Sequence, residues 1–147
     1  MLDGLEITQF TYFQQAGGLE VFPIPVEITY GLERLEMFLE EKDDIYDLQW
    51  SDDVSYRDLR LEEERQFSEY NFHQATVKSL RESFVLAEKE AQHLIGKNLL
   101  LPAYDMCLKC SHCFNLLDSR GAISVTERVK LIAQIRVLVN QIAVKYT

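Results

Sequence analysis

The 147-residue sequence is poor in several features that would each have marked a class of protein. No apolar run approaches the ~20 residues that a membrane-spanning helix needs, so no membrane partner is expected. The first residues, Met1 to Glu6, carry neither a basic region nor a long apolar one, so no secretory signal is expected. With only six glycines and three prolines, and no repeat or low-complexity tract, fibrous and linker-like architectures drop out. Three cysteines make an odd number, too few for a disulfide framework, which points to a reducing, cytoplasmic setting. Cationic excess is missing too. Fifteen Lys and Arg stand against 24 Asp and Glu, for a net charge of −9. Phosphate contacts supply much of the affinity for nucleic acid, so this chain is a poor sole binder of it. It can still belong to an assembly whose partner carries the positive surface. There is no Gly-x-Ser-x-Gly, no phosphate loop of the Gly-Lys-Ser type and no dinucleotide fingerprint.

What is present reads as a globular chain able to bury a core without staples. Residues 5–15, LEITQFTYFQQ, form a predicted strand rich in β-branched and aromatic residues. Its apolar parity changes midway, from Leu5 and Ile7 to Phe10 and Tyr12, which suggests a bulge or two covered faces. Ala16-Gly17-Gly18 is a turn signal. Residues 21–31 return as a second strand, most simply antiparallel to the first. Here Ile24, Val26 and Ile28 take one face, and Pro25, Glu27, Thr29 and Gly31 the other. A helix follows from about Leu32 to Glu41, with Leu32, Leu35, Phe38 and Leu39 as its inner stripe. Ile45 to Trp50 is a short extended piece, and Ser51-Asp52-Asp53 a loop.

After Ser55 the pattern predicts helices only. One covers 55–71. A second covers 74–95, with Val77, Leu80, Phe84, Ala87, Ala91 and Leu94 inward and Gly96 at the left-handed cap position. A third opens at Pro102 and stops before Gly121. A fourth begins at the capping box Ser124-Val125-Thr126-Glu127 and places Val129, Ile132, Ile135, Val139 and Ile142 inward. The expected fold class is therefore α+β, predominantly α: two antiparallel strands and a helix, then a C-terminal helical bundle. The expected division is residues 1–50 and 51–147. Two strands alone are marginal, so the first fifty residues look like part of a larger sheet.

Cys107, Cys110, His112 and Cys113 are close enough in sequence to suggest a metal site. All lie in one predicted helix, where Cys107 and Cys110 share a face and His112 points elsewhere, and no second cluster completes a tetrahedral shell. Core packing is the expectation for the three cysteines, with no structural zinc. The acidic run from Glu62 to Glu69 reads as a solvated helix face, with a docking surface for a basic partner as the alternative, and His73 and His93 are isolated.

That leaves Glu27 to Arg34. Its bland reading is an edge strand followed by a helix with surface charges. Against this, Glu27 and Thr29 share a sheet face, and Arg34 sits at the helix start beside it. A carboxylate can hold an ammonium, a hydroxyl can orient it, and an arginine can bind phosphate or stack on a base.

The run Gly31-Leu32-Glu33-Arg34-Leu35-Glu36-Met37 resembles motif 3 of the class II aminoacyl-tRNA synthetases, a strand ending in Gly-x-Glu-Arg that enters a helix. Leu5 through Gly18, Glu27 through Arg34, Ile45 to Leu48, Leu101 to Tyr104, and Phe114 to Asp118 with Ile123 to Arg128 resemble the α subunit of the bacterial two-subunit glycyl-tRNA synthetase. The resemblance covers essentially the whole chain. It implies ATP-dependent activation of glycine to glycyl-adenylate and transfer to tRNA(Gly). It also implies that Arg34 contacts ATP next to Gly31, and that Glu6 stands where an acidic ligand for the magnesium of ATP is often found. Motif 3 commonly carries glycines where Glu27 and Thr29 stand. Their bulk would shrink the pocket and supply partners for an ammonium, with Gln9 and Thr11 as further pocket residues on the neighbouring strand.

The same resemblance implies a β-subunit partner and a second α subunit joined through motif 1. Motifs 1 and 2 have no counterpart in these residues. The chain is thus expected to represent the motif 3 end of a catalytic core plus a helical domain, inactive alone. The competing readings are a non-catalytic helical module that docks the β subunit or tRNA, and a metal-binding helical protein using the cysteines.

Overall fold

A computed structural model describes Leu2 and residues 4–147. Five α-helices and three small two-stranded antiparallel sheets make up the described residues. The chain divides into two compact units, Met1–Gln14 with Phe22–Glu69, and Gln15–Val21 with Tyr70–Thr147. The α+β, mainly helical class is what the sequence patterning predicts.

The first unit is built on β1 (Thr8–Tyr12), which pairs with β4 (Val26–Tyr30) in antiparallel register. Partners run from Thr8 opposite Tyr30 to Tyr12 opposite Val26. The ladder extends by one backbone bond at each end, Gly31 N to Ile7 O at 2.8 Å and Phe13 N to Pro25 O at 3.0 Å. The parity change predicted within residues 5–15 resolves simply. Leu5 lies outside the strand, and Phe10 and Tyr12 set its apolar face. That face, with Val26, Ile28 and Tyr30, remains more than half exposed, although the alternation marks it for burial.

Helix α1 (Leu32–Leu39) follows directly. Of its expected inner stripe only Leu35 is half-buried; Leu32, Phe38 and Leu39 are exposed. The helix ends with Glu41 in the left-handed region (φ 55°), while Lys42 N reaches back to Met37 O. Residues Ile45–Asp47 form a 3-10 turn rather than extended chain, because Asp44 caps it by accepting from Tyr46 N at 2.9 Å. The extended piece begins only at Gln49, as β5 (Gln49–Ser51) turning onto β6 (Val54–Ser55). Helix α2 (Tyr56–Glu69) completes this unit, anchored at its start by Asp58, which accepts from Ser55 N and Ser55 Oγ.

The second unit opens, in chain order, with β2 (Gln15–Ala16) and β3 (Leu19–Glu20), joined by Gly17 and Gly18 at φ 59° and 81°. Two consecutive positive φ values define the tight turn whose twist suits a hairpin, and glycine adopts them freely. A wider π-turn over Tyr70–Gln74 then leads into α3 (Val77–Gly96), α4 (Leu100–Ser119) and α5 (Val125–Tyr146). Leu80, Phe84, Ala87, Ala91 and Ile95 bury the inner face of α3. Small residues dominate its contact with α4: Ala87 and Ala91 on one side, Ala103, Cys107 and Cys110 on the other, all in one core cluster with Leu138 and Ile142 of α5.

Two cap details differ from expectation. The helix runs through Gly96, and Asn98 takes the left-handed conformation (φ 59°). Asn98 N bonds Ile95 O and Leu99 N bonds Leu94 O, the bonding pattern of a Schellman cap, in which asparagine is tolerated. At Ser124 the hydroxyl accepts from Glu127 N at 3.2 Å, the expected half of the capping box. The Glu127 carboxylate instead pairs with Arg81 of α3, whose other Nη donates to Ala122 O at 2.7 Å. Val129 also departs from its predicted inward place. It is 64% exposed, because the buried face of α5 centres on Leu138 and Ile142.

The hairpin turn rests on α5. Asn140 Nδ2 donates to Gly17 O at 2.8 Å, and a Cβ on Gly17 would stand 2.7 Å from that of Ala143. Gly17→Ala is therefore expected to cost about 1–3 kcal/mol from the φ alone, with the contact adding to it. Gly121→Ala, with the same sign of φ and open space around it, shows the φ cost without the clash. Denaturant titration of both variants checks the difference; equal losses would show that the hairpin does not rest on α5.

Candidate functional site

The pairing of β1 with β4 decides which side chains stand together. Side chains alternate across a strand, so the register places Gln9 beside Thr29 and Thr11 beside Glu27 on one face. This is the face that carries no large apolar residue. Thr29 Oγ1 donates to Glu27 Oε1 at 2.7 Å, which leaves the other carboxylate oxygen able to accept from a ligand. Gln9, Glu27 and Thr29 are exposed and Thr11 is half-buried. The parity of Gln9 and Thr11, ambiguous in the sequence, is thus settled in favour of the face that Glu27 and Thr29 occupy.

The helix start closes one end of this face. Gly31 adopts extended backbone (φ −84°, ψ 90°) and its carbonyl accepts the first helical bond from Leu35 N. A Cβ on Gly31 would lie 3.4 Å from Arg34 Cδ and 3.6 Å from its Cβ and Cγ. By alternation such a Cβ continues the face of Glu27 and Thr29. The aliphatic stem of Arg34 therefore lies on that same side, and Gly31 leaves it room. Beyond the stem, Arg34 Nη1 donates to the backbone carbonyl of Glu6 at 2.6 Å. A guanidinium has five N–H donors, so this bond orients the group without exhausting it. It also draws the Glu6 segment to the head of α1. Thr29 with Gln9 forms the pair nearer Arg34, and Glu27 with Thr11 stands about 7 Å further along the strands, at two residues of ~3.3 Å each.

Sequence reading missed the supports behind this face. Tyr56 at the start of α2 donates its hydroxyl to Glu33 Oε1 at 3.3 Å, engaging the carboxylate next to Arg34 in sequence. The Tyr56 ring lies against Tyr46, and Arg57 covers the Tyr46 ring while pairing with Asp47 at 3.0 Å and Asp44 at 3.6 Å. The hydrogen bonds to Asp47 raise the pKa of Arg57 further above its already high ordinary value. No local pattern announces a contact between residues 33 and 56, since neither position differs from an ordinary surface tyrosine or glutamate in sequence.

The cysteines lie elsewhere, in the second unit. Cys107, Cys110 and Cys113 are buried in the contact of α4 with α3 and α5, while His112 is exposed. The thiols of Cys107 and Cys110 point to backbone carbonyls, those of Ile135 at 3.9 Å and Phe84 at 3.7 Å. Burial raises the pKa of all three, that of Cys110 to about 12, with Cys107 and Glu88 adding repulsion.

A family model described as Glycyl-tRNA synthetase alpha subunit matches residues 1–147. The chain belongs to this family. Membership carries the function of an aminoacyl-tRNA ligase for glycine in general terms, with ATP and Mg²⁺ used in the reaction, tRNA as acceptor and a β subunit as partner. No helix among the described residues is long and apolar enough to cross a membrane.

The buried thiols generate a pH prediction. Their raised pKa means the folded chain holds these protons more tightly than the unfolded one. Stability is therefore full below about 9, the ordinary value, and declines as pH climbs towards about 12. At pH 8 the native chain is expected to leave all three thiols unreactive towards a disulfide reagent, and to expose them together on unfolding. Rapid reaction of any one of them in the native state would contradict this.

Proposed function

We propose that Glu6 through Arg34 supply the amino-acid and ATP floor of the glycine ligase. The support is a single arrangement. Four polar side chains share one sheet face, and the stem of Arg34 lies on the same side at its end. In this reading Glu27 accepts from the ammonium of glycine, and Thr29 fixes the carboxylate in place through its 2.7 Å bond. Gln9 and Thr11 line the neighbouring strand. Arg34, with Gly31 leaving it room, binds the phosphates of ATP.

Glu6, whose main-chain carbonyl accepts from that guanidinium, also carries a hard carboxylate. This suits Mg²⁺, which is usually held by one or two carboxylates together with substrate phosphates. The ion would neutralise charge on the phosphates. The chain's own part is to hold the glycine carboxylate in line with the α-phosphorus, where its oxygen forms the adenylate and pyrophosphate leaves. The tRNA hydroxyl then takes the glycyl group and AMP departs. Side chains of the size of Glu27 and Thr29, where glycine residues would leave space, exclude bulkier amino acids by overlap.

Residues 1–50 then serve as the motif 3 part of a class II core, and 51–147 as a helical domain that meets the β subunit and tRNA, in a cytoplasmic enzyme. The counterpart of motif 2, whose arginine grips the α-phosphate, is not among these residues. Most of the rate enhancement in such chemistry is electrostatic. The 147 residues by themselves should therefore not catalyse glycine-dependent ATP–pyrophosphate exchange, and measurable exchange by the purified chain would refute this. A homodimer formed through motif 1 lies likewise with residues other than these.

In the assembled enzyme, Arg34→Ala is expected to lower kcat/KM for ATP by about 10²–10³, the scale for removing one group that stabilises transition-state charge. Glu27→Gln should act instead on the KM for glycine. Thr29→Gly should raise alanine-dependent exchange relative to glycine by roughly 10–200-fold, the value of one small apolar increment in a closed pocket. Unchanged ATP and glycine kinetics in all three variants would leave the polar face with no part in the reaction.

A further inference from the structure

Helix α5 is the basic element of an acidic chain. It carries Arg128, Lys130, Arg136 and Lys145 against the single carboxylate of Glu127, and no acidic residue occurs from 128 to 147. Three of these five charges are engaged. Glu127 pairs with Arg81, Arg128 with Asp118, and Lys145 donates to Ile95 O. Lys130 and Arg136 form no ion pair among the described residues.

The outward side of α5 is mainly aliphatic, with Asn140 on it bonded to the hairpin. At 100° per residue, Val129, Ala133, Val137 and Val144 fall within one stripe opposite Leu138 and Ile142, with Arg136 along one margin and Lys130 along the other. Val129 is 64% exposed and Val137 and Val144 are each 55% exposed. From Val129 to Val144 the stripe runs about 22 Å, at 1.5 Å per residue. Beside it, the tip of the β2–β3 hairpin and α5 enclose a cleft of about 870 Å³, lined by Gly17, Gly18, Arg136, Val137, Asn140 and Gln141. Arg136 and Val137 belong to both, so stripe and cleft form one surface.

We propose that this surface docks a helix of the partner subunit, one with a small aliphatic ridge and carboxylates along its margins. Three features select that occupant. Along the stripe itself only Asn140 is polar, and its amide already donates to Gly17 O, so an RNA backbone would reach the two marginal cations while desolvating valines for little return. A second copy of α5 crossing antiparallel would bring Arg136 near its own symmetry mate, and like charges destabilise such a contact. Two unpaired cations flanking an aliphatic seam instead match a carboxylate-flanked helix laid in a groove, where the flanking charges set orientation. The proposal deepens the family reading, since it rests on the existence of a β-subunit partner and says which face meets it.

The test titrates the chain with purified β subunit and follows association by calorimetry and sedimentation. Val137→Asp should weaken binding at least tenfold, and Arg136→Glu should weaken it and flatten its salt dependence. Leu101→Asp, on an exposed position of α4, should leave it unchanged. Helicity and Tm of each variant are checked by circular dichroism. Should Val137→Asp fail to fold, Arg136→Glu reads the same contact without touching the apolar seam. Wild-type affinity in both α5 variants overturns the docking face alone. Failure of the wild-type chain to bind the β subunit overturns the partner reading as well. Loss of tRNA binding with intact β-subunit binding, or a change in the chain's own self-association, would assign the face to RNA or to a second copy and equally overturn the proposal.

Discussion

The antiparallel register of β1 on β4 is the constraint on which the candidate site depends. Five residue pairs set Gln9 against Thr29 and Thr11 against Glu27, and backbone bonds at both ends, through Gly31 and Phe13, extend the ladder. The side-chain period of a strand is two. A slip of one residue would set Gln9 against Tyr30 and Thr11 against Ile28, and the four polar side chains would no longer share a face. The bond from Arg34 to the Glu6 carbonyl adds a third restraint, because it joins the head of α1 to the chain leading into β1. A site built this way is positioned by main-chain geometry, and its side chains need only be the right types.

The two units bury apolar surface differently. In the helical unit, alanines and cysteines on the facing sides of α3 and α4 let the backbones approach, and Leu117 and Leu138 fill what remains. Interiors of this kind are close-packed, and the cysteines serve as small hydrophobes whose thiols burial keeps protonated. In the sheet unit Leu48 alone among the described residues is fully buried, and the aromatic and branched residues of β1 and β4 stay exposed. Polar interactions do more of the organising there. Asp44 caps a turn, Ser55 caps α2 with the Asp58 carboxylate bonding back to it, and Arg57 with Tyr46 and Tyr56 ties the turn to that helix. The candidate face is held by strand pairing and polar restraints, and the helical unit by close packing.

Helix α5 shows how one element serves two surfaces. Its inner side completes the core through Leu138 and Ile142, while Ala143 and Asn140 receive the glycine turn of the hairpin. Its valines divide between these roles. Val139 packs inward, while Val129, Val137 and Val144 face out between Lys130 and Arg136, which form no ion pair among the described residues. Binary patterning places valine in either position equally well, so composition alone cannot rank the two faces.

Much of this was legible in the sequence because it is local. Strand alternation placed Glu27 and Thr29 together. Spacing of three and four found the buried face of α3, and the Ser124 hydroxyl caps α5 as its motif implies. The run from Gly31 to Met37, with the long matches around it, already pointed to the family that residues 1–147 belong to. What tertiary structure decided is what depends on a second element. The side of the sheet taken by Gln9 and Thr11 follows from the partner strand. The burial of Leu138 over Val129 follows from where α3 and α4 press on α5. The left-handed cap falls on Asn98 rather than Gly96 because the helix continues for as long as its bonds are satisfied. Gly17 was readable as a turn, but only the approach of Ala143 shows that nothing larger fits there. Sequence fixes periodicity, and so which residues share a face. Which of two plausible faces is buried is a free-energy difference between whole packings, and that exists only once the other elements are in place.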